Sequence, residues 1–168
     1  MVNNGLYAEA GVTRRHSRDT KIKKALFIVG IFVCLFVLPI ISIYFLLFSS
    51  VVAFITAYYY PRMNVDYEYI FVDGQIDFDK ITGQRGRKTL IRIDLDQVEV
   101  AAPADSHALD AYKGKRIKEK DFTSGNKNKK PFVIIGYAKE EMVRILFEPS
   151  EKMVDYMKMK SPRKVSTI

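Results

Sequence analysis

The run Val65-Asp66-Tyr67-Glu68-Tyr69-Ile70-Phe71-Val72-Asp73-Gly74-Gln75-Ile76-Asp77-Phe78-Asp79 decides how the C-terminal two thirds of the chain fold. Asp-Gly between two strand-like runs is a strong hairpin signal, because both central residues of a type I′ turn need positive φ. Pairing Val72 with Gln75 places Phe71 opposite Ile76 and Tyr69 opposite Phe78. That register gathers Tyr67, Tyr69, Phe71, Ile76 and Phe78 on one face. Glu68, Gln75, Asp77 and Asp79 fall on the other, as a half-buried sheet requires.

The same alternation continues downstream. Thr82-Gly83-Gln84-Arg85-Gly86 reads as a second turn, followed by a strand in which Thr89, Ile91, Ile93 and Leu95 alternate with Lys88, Leu90, Arg92 and Asp94. A short run from Gln97 to Ala102 ends at Pro103. Phe132 to Tyr137 and Val143 to Phe147 form a last hairpin across Lys139-Glu140-Glu141. Ser150 is placed to cap a helix over 150–160, with Glu151 at its positive end and Lys158 and Lys160 at its negative end. The expected domain spans residues 61–165: about six strands and a C-terminal helix.

Upstream, Ala25 to Tyr60 is thirty-six residues without a charged side chain. Roughly 18 to 20 apolar residues suffice to cross a bilayer. As one helix the run would extend about 54 Å, against a hydrocarbon core of about 30 Å. Two helices with a reversal near Pro39 to Ser42 fit better. Both flanks are basic: Arg14, Arg15, Arg18, Lys21, Lys23 and Lys24 before, Arg62, Lys80, Arg85, Arg87 and Lys88 after. Basic residues collect on the cytoplasmic side, so a hairpin satisfies the rule twice and a single span violates it once. The expectation is a transmembrane hairpin over 25–60 in a multi-pass protein of the cell membrane, with both termini cytoplasmic; one long tilted or kinked helix is the alternative. Residues 1–24 show no periodicity and read as a disordered basic tail.

The net charge of +8 does not have the pattern of a nucleic-acid binder. After residue 60 it is diluted among interleaved acidic side chains, and no strand face alternates aromatic with basic residues for stacking. Cys34 is the only cysteine, which rules out an intrachain disulfide. With His16 and His107 far apart in sequence, no zinc-ligand spacing exists. Asp105-Ser106-His107 has the residue types of a hydrolytic triad, but consecutive residues cannot take up its geometry. Phosphate-binding glycine loops are absent. Asp77 with Asp79, and Asp94 with Asp96, share faces at strand spacing. Lys88 and Arg92 on the neighbouring strand offer Asp77 and Asp79 ion pairs, a simpler reading than metal or acid–base chemistry. No catalytic residue, cofactor site or metal site is expected, and the chain reads as a non-enzyme.

The best candidate for function is the stretch Lys113 to Lys130, read as a loop or an edge of low order. It carries Lys113, Lys115, Arg116, Lys118, Lys120, Lys127, Lys129 and Lys130. Near an anionic leaflet each basic residue contributes about 1 kcal/mol. A lipid bilayer, anionic headgroups or a membrane protein partner are the expected contacts.

Two resemblances accompany this reading. Gly86-Arg87-Lys88-Thr89-Leu90-Ile91-Arg92-Ile93-Asp94-Leu95-Asp96-Gln97-Val98-Glu99-Val100 resembles the central strands of membrane-attached bacterial pleckstrin-homology-like (PH-like) domains. Asp66 to Phe71 with Asp73 to Asp77, the step Phe147-Glu148-Pro149-Ser150, and the ending Pro162-Arg163-Lys164-Val165 are similar to a family of small integral membrane proteins of Gram-positive bacteria. Together these resemblances cover most of residues 20–165. They imply a membrane-anchored binding or scaffold protein that presents a PH-like domain at the cytoplasmic face. The alternative is an accessory subunit of a membrane complex assembled through the hairpin.

Overall fold

A computed structural model describes residues 6–14, 18–37, 40, 44–60, 65–83, 86–126 and 128–167. The chain divides into two compact units. One comprises Met1–Arg14, Asp66–Ile81 and Arg87–Ile168; the other comprises Arg15–Val65 and Thr82–Gly86.

The larger unit is mainly β. Its strands are β1 (Tyr7–Thr13), β2 (Val65–Val72), β3 (Gln75–Thr82), β4 (Gly86–Asp94), β5 (Val98–Pro103), β6 (Lys118–Asp121), β7 (Phe132–Ala138) and β8 (Glu141–Phe147). They form two four-stranded sheets, ordered β1-β2-β3-β4 and β5-β7-β8-β6. The Asp73-Gly74 turn has the expected positive φ at both residues, 48° and 105°. Tyr67, Tyr69, Phe71, Ile76 and Phe78 are all buried, as the alternation requires. Phe147 of β8 meets this face edge-on: its ring centroid lies 5.4 Å from Tyr69 and 5.3 Å from Phe78. Phe122, just after β6, stacks on Phe78 at 5.1 Å. Its carbonyl accepts a hydrogen bond from the Tyr69 hydroxyl. The C-terminal helix spans Glu151–Lys160 and buries Met153 and Met157. Ser150 Oγ caps it by accepting from the Met153 amide at 3.3 Å.

The polar face of the first sheet is neutralised in pairs. Arg92 grips Asp77 with two hydrogen bonds of 2.6 and 2.5 Å. Asp79 is buried and takes Arg87 rather than Lys88, at 2.5 Å; Arg87 also lies 2.7 Å from Glu68.

Three expectations are corrected. Within the expected disordered tail of residues 1–24, β1 lies antiparallel to β2, from Tyr7 opposite Val72 to Thr13 opposite Asp66. Only Ala8 of this strand is buried, so its stability comes from backbone pairing and leaves little hydropathy signal. Arg14, read as a topology-setting charge, donates to the Tyr67 hydroxyl at 2.7 Å.

The second correction concerns the apolar run. The described residues of the smaller unit include α1 (Arg18–Phe32) and α2 (Phe45–Tyr59), with a π-helical segment Val33–Val37 after α1. Each α-helix extends only about 22 Å. Helix α1 begins at Arg18, well ahead of the charge-free run, so its early turns are polar. No helix among the described residues is long and apolar enough to cross a membrane. The transmembrane hairpin over 25–60, the multi-pass cell-membrane location with both termini cytoplasmic, and the complex subunit built on that hairpin therefore fall. A count of uncharged residues measures composition, whereas crossing needs a continuous helix. The reversal expected at Pro39 and Ser42 lies outside the described residues. Inside this unit Ser49 Oγ donates to the Cys34 carbonyl, and Thr56 Oγ1 donates to the Val52 carbonyl at 2.8 Å.

The third correction concerns the low order expected of the loop or edge. Within 105–130 the chain forms a 3-10 helix at His107–Tyr112, then β6, which pairs parallel with β8 from Lys118 opposite Val143 to Asp121 opposite Leu146. A four-residue edge strand of Lys-Glu-Lys-Asp has no apolar rhythm to betray it.

Candidate functional site

The eight basic residues singled out in the sequence do not form one cluster. Lys113 pairs with Asp110 at 2.5 Å, and Lys115 lies over the Tyr112 ring at 4.7 Å. Lys129 and Lys130 face Glu148 and Asp105 at 3.4 and 2.6 Å. Arg116 is exposed. Lys127 lies outside the described residues. The Lys113 ammonium, with His107 behind it, holds the Asp110 carboxyl below the usual carboxylate range. Lys130 does the same for Asp105. Asp105, Ser106 and His107 each have local structural work: an ion pair, a helix cap accepting from the Ala108 amide, and a 3.1 Å contact with Asp110.

Lys118 and Lys120 are different. Two residues apart on β6, they project from the same side of the strand. There they help line a cavity of about 340 Å³ whose remaining walls come from β4, the β7–β8 turn and the start of β8. Four of its lining residues are cationic: Arg92, Lys118, Lys120 and Lys139. Glu141 is the only acidic one, and Leu90, Ile91, Ala138 and Val143 supply apolar wall. β4 and β6 are each the edge strand of their sheet, so the cavity opens where two sheet edges come together. Lys139 gets there through a tight turn in which it and Glu140 both have positive φ, 51° and 68°.

The cavity's charge is only partly cancelled. Glu141 accepts from Lys118 at 2.8 Å, and that hydrogen bond holds its carboxyl below the ordinary glutamate range. Arg92 is committed to Asp77. No carboxylate lies within ion-pair distance of Lys120 or Lys139 among the described residues. Two ammonium groups outside any close ion pair, beside a fixed guanidinium, suit a compact anion such as a phosphate ester. Nothing in the lining is arranged as a nucleophile with its base. Among the described residues, no three His, Cys, Asp or Glu side chains are placed to hold a metal.

The sequence pointed to Lys118 and Lys120 but missed Arg92 and Lys139 as site residues. Arg92 read as an ion-pair partner, and Lys139 as a turn residue. Strand spacing could have paired Lys118 with Lys120; only the tertiary structure brings the other two to them.

The family model described as Bacterial PH-like domain (DUF6106) matches residues 4–167. The chain belongs to that family. No curated protein and no solved structure matches it. The PH-like match begins ahead of β1, in keeping with a strand taken from the N-terminal segment. It supports the pleckstrin-homology-like resemblance; it lends no support to the likeness with small integral membrane proteins of Gram-positive bacteria. PH-like domains are generally binding modules rather than catalysts, and two sheets with a C-terminal helix make a scaffold on which such sites are grafted.

Proposed function

We propose that this PH-like chain is a non-enzymatic binding module whose basic cavity takes a phosphate-bearing headgroup at an anionic lipid surface. The observation that carries the reading is the four-to-one excess of cationic over acidic side chains around one cavity. Lys113, Lys115 and Arg116 would add diffuse attraction, each worth about 1 kcal/mol near such a surface.

The test compares vesicles of phosphatidylcholine alone with vesicles that also contain phosphatidylserine. Full-length protein should partition more strongly onto the anionic vesicles, and the excess should shrink as salt is raised. The double variant Lys120→Glu/Lys139→Glu should lose most of that excess, while Glu141→Gln should increase it. Equal partitioning onto both vesicles, or an excess that the double variant retains, sinks the reading.

A second reading rests on β4. It is an edge strand, and Arg87 to Leu90 are exposed along it. Such an edge can accept an extended segment of a protein partner by strand addition. Amide protection along β4 on addition of a partner, without any lipid dependence, would favour it.

A further inference from the structure

A second groove, roomier than the basic cavity, lies elsewhere. It has a volume of about 640 Å³ and runs beside the C-terminal helix. Phe132, Val154 and three prolines, Pro103, Pro131 and Pro149, give it an apolar wall. The charged residues on its lining are Lys129, Lys130, Glu148, Glu151 and Asp155. It shares no residue with the basic cavity, so the two sites can be tested apart.

The groove is short of positive charge. Lys130 is already paired with Asp105 at 2.6 Å. Glu151 and Asp155, four residues apart, lie on one side of the helix and are exposed. Neither has a cation within ion-pair distance among the described residues. Lys129 is the other cation on a lining that carries three carboxylates, Glu148, Glu151 and Asp155.

Glu148 is the decisive residue. Its side chain is only 8% exposed. One carboxylate oxygen, Oε1, accepts from the Ser124 amide at 2.8 Å and the Ser124 hydroxyl at 2.6 Å. The other, Oε2, is buried and has no hydrogen-bond partner. Lys129 Nζ stops 3.4 Å away, beyond the 2.7–2.9 Å of a charge-assisted bond, with its own side chain 60% exposed. A buried carboxylate oxygen without a donor is costly, and an incoming donor would remove that cost.

We propose that this groove binds an extended peptide segment of a partner protein through an arginine side chain, with an aliphatic neighbour against Phe132 and Val154. The guanidinium supplies the donor that Glu148 Oε2 lacks and leaves further N–H groups for Glu151 and Asp155. A lysine would serve less well. Lys129 already presents one ammonium without completing the site, and a planar fork satisfies several carboxylates where a point charge cannot.

The experiment uses full-length protein and three probes: acetyl-Leu-Arg-Leu-amide and the same peptide with lysine or glutamate at its centre. Amide chemical shifts are followed by NMR. The arginine probe should shift Ser124 and Val154 saturably and bind more tightly than the lysine probe; the glutamate probe should leave both unmoved. Glu148→Gln should weaken arginine binding roughly tenfold or more. Because that change can also loosen Ser124, the variant Glu151→Gln/Asp155→Asn is measured too. It keeps the Glu148–Ser124 bonds and should weaken binding several-fold. The proposal is overturned if the arginine probe leaves Ser124 unmoved, if the glutamate probe binds equally well, or if neither variant weakens binding.

Discussion

The β2–β3 hairpin and the helices α1 and α2 are both rich in apolar side chains, and they use them in opposite ways. In the hairpin, Tyr69, Phe71, Ile76 and Phe78 are wholly buried. In the helices, Leu47 and Phe54 are each 75% exposed, and most of the other large apolar side chains there are exposed as well. Polar groups reverse as well. Asp79 is buried in the hairpin against an arginine, while Ser49 and Thr56 are the buried polar residues of the helices, satisfied by main-chain carbonyls. Alternation at a period of two carries information about direction, because each residue is told which face to take. An unbroken apolar run carries none. Hydrophobicity alone therefore does not locate a core.

The sharpest way to break this comparison is a pair of matched truncations. Phe78→Ala removes a ring packed against Tyr69, Phe122 and Phe147, and should cost about 3–5 kcal/mol in urea denaturation. Phe54→Ala should change stability by no more than about 0.5 kcal/mol. Equal losses would mean that the helices have a core of their own comparable with that of the sheets. Gly136→Ala comes next. A Cβ there would lie 2.6 Å from the Gln97 carbonyl oxygen and 2.8 Å from Val98 Cα, both main-chain atoms, beside the register shift between Val98 and Val100. The loss should be about 1–3 kcal/mol, whereas Gly30→Ala in α1, where an added Cβ meets nothing within 4 Å, should be tolerated. Ser150→Ala should cost about 1 kcal/mol through the lost cap. Tyr44, which precedes α2 without a side-chain cap bond, should be replaceable by alanine at no comparable cost.

The smallest effect is a titration. Glu141 has its carboxyl held low by Lys118, so its contribution is present at neutral pH and fades as pH falls through the lowered value. Carboxyl NMR should show Glu141 titrating below an ordinary glutamate, and Lys118→Ala should return it to the ordinary range. A Glu141 unaffected by that change would mean that Lys118 does not reach it in solution.

What the sequence made legible follows from the same contrast. β2, β3, β7, β8 and the C-terminal helix declare themselves because their buried residues are large and periodic and their turns need Gly, Asp or Ser at set places. β1 and β6 do not. Tyr-Ala-Glu-Ala and Lys-Glu-Lys-Asp gain their place through hydrogen bonds to a neighbouring strand, and such bonds are open to any side chain. The helices were overextended because absence of charge is not evidence of continuity. The site was half legible for a related reason. Lys118 and Lys120 lie two residues apart, but Arg92 and Lys139 join them only through folding. The buried, unpartnered carboxylate oxygen of Glu148 is a property of three-dimensional surroundings and has no trace in sequence.

The antiparallel pairing of β1 with β2 also bears on how the chain is made and how it can vary. Thr13 and Asp66 are partners in the ladder, so everything between them is a closed insertion whose two ends are tied together. As synthesis proceeds from the N-terminus, β1 must wait until both helices have emerged before its partner exists. The entropy of closing such a segment grows only logarithmically, by about 0.6 kcal/mol for each doubling of its length. Helices of quite different length could thus be carried between these two strands with little penalty to the sheet that holds them.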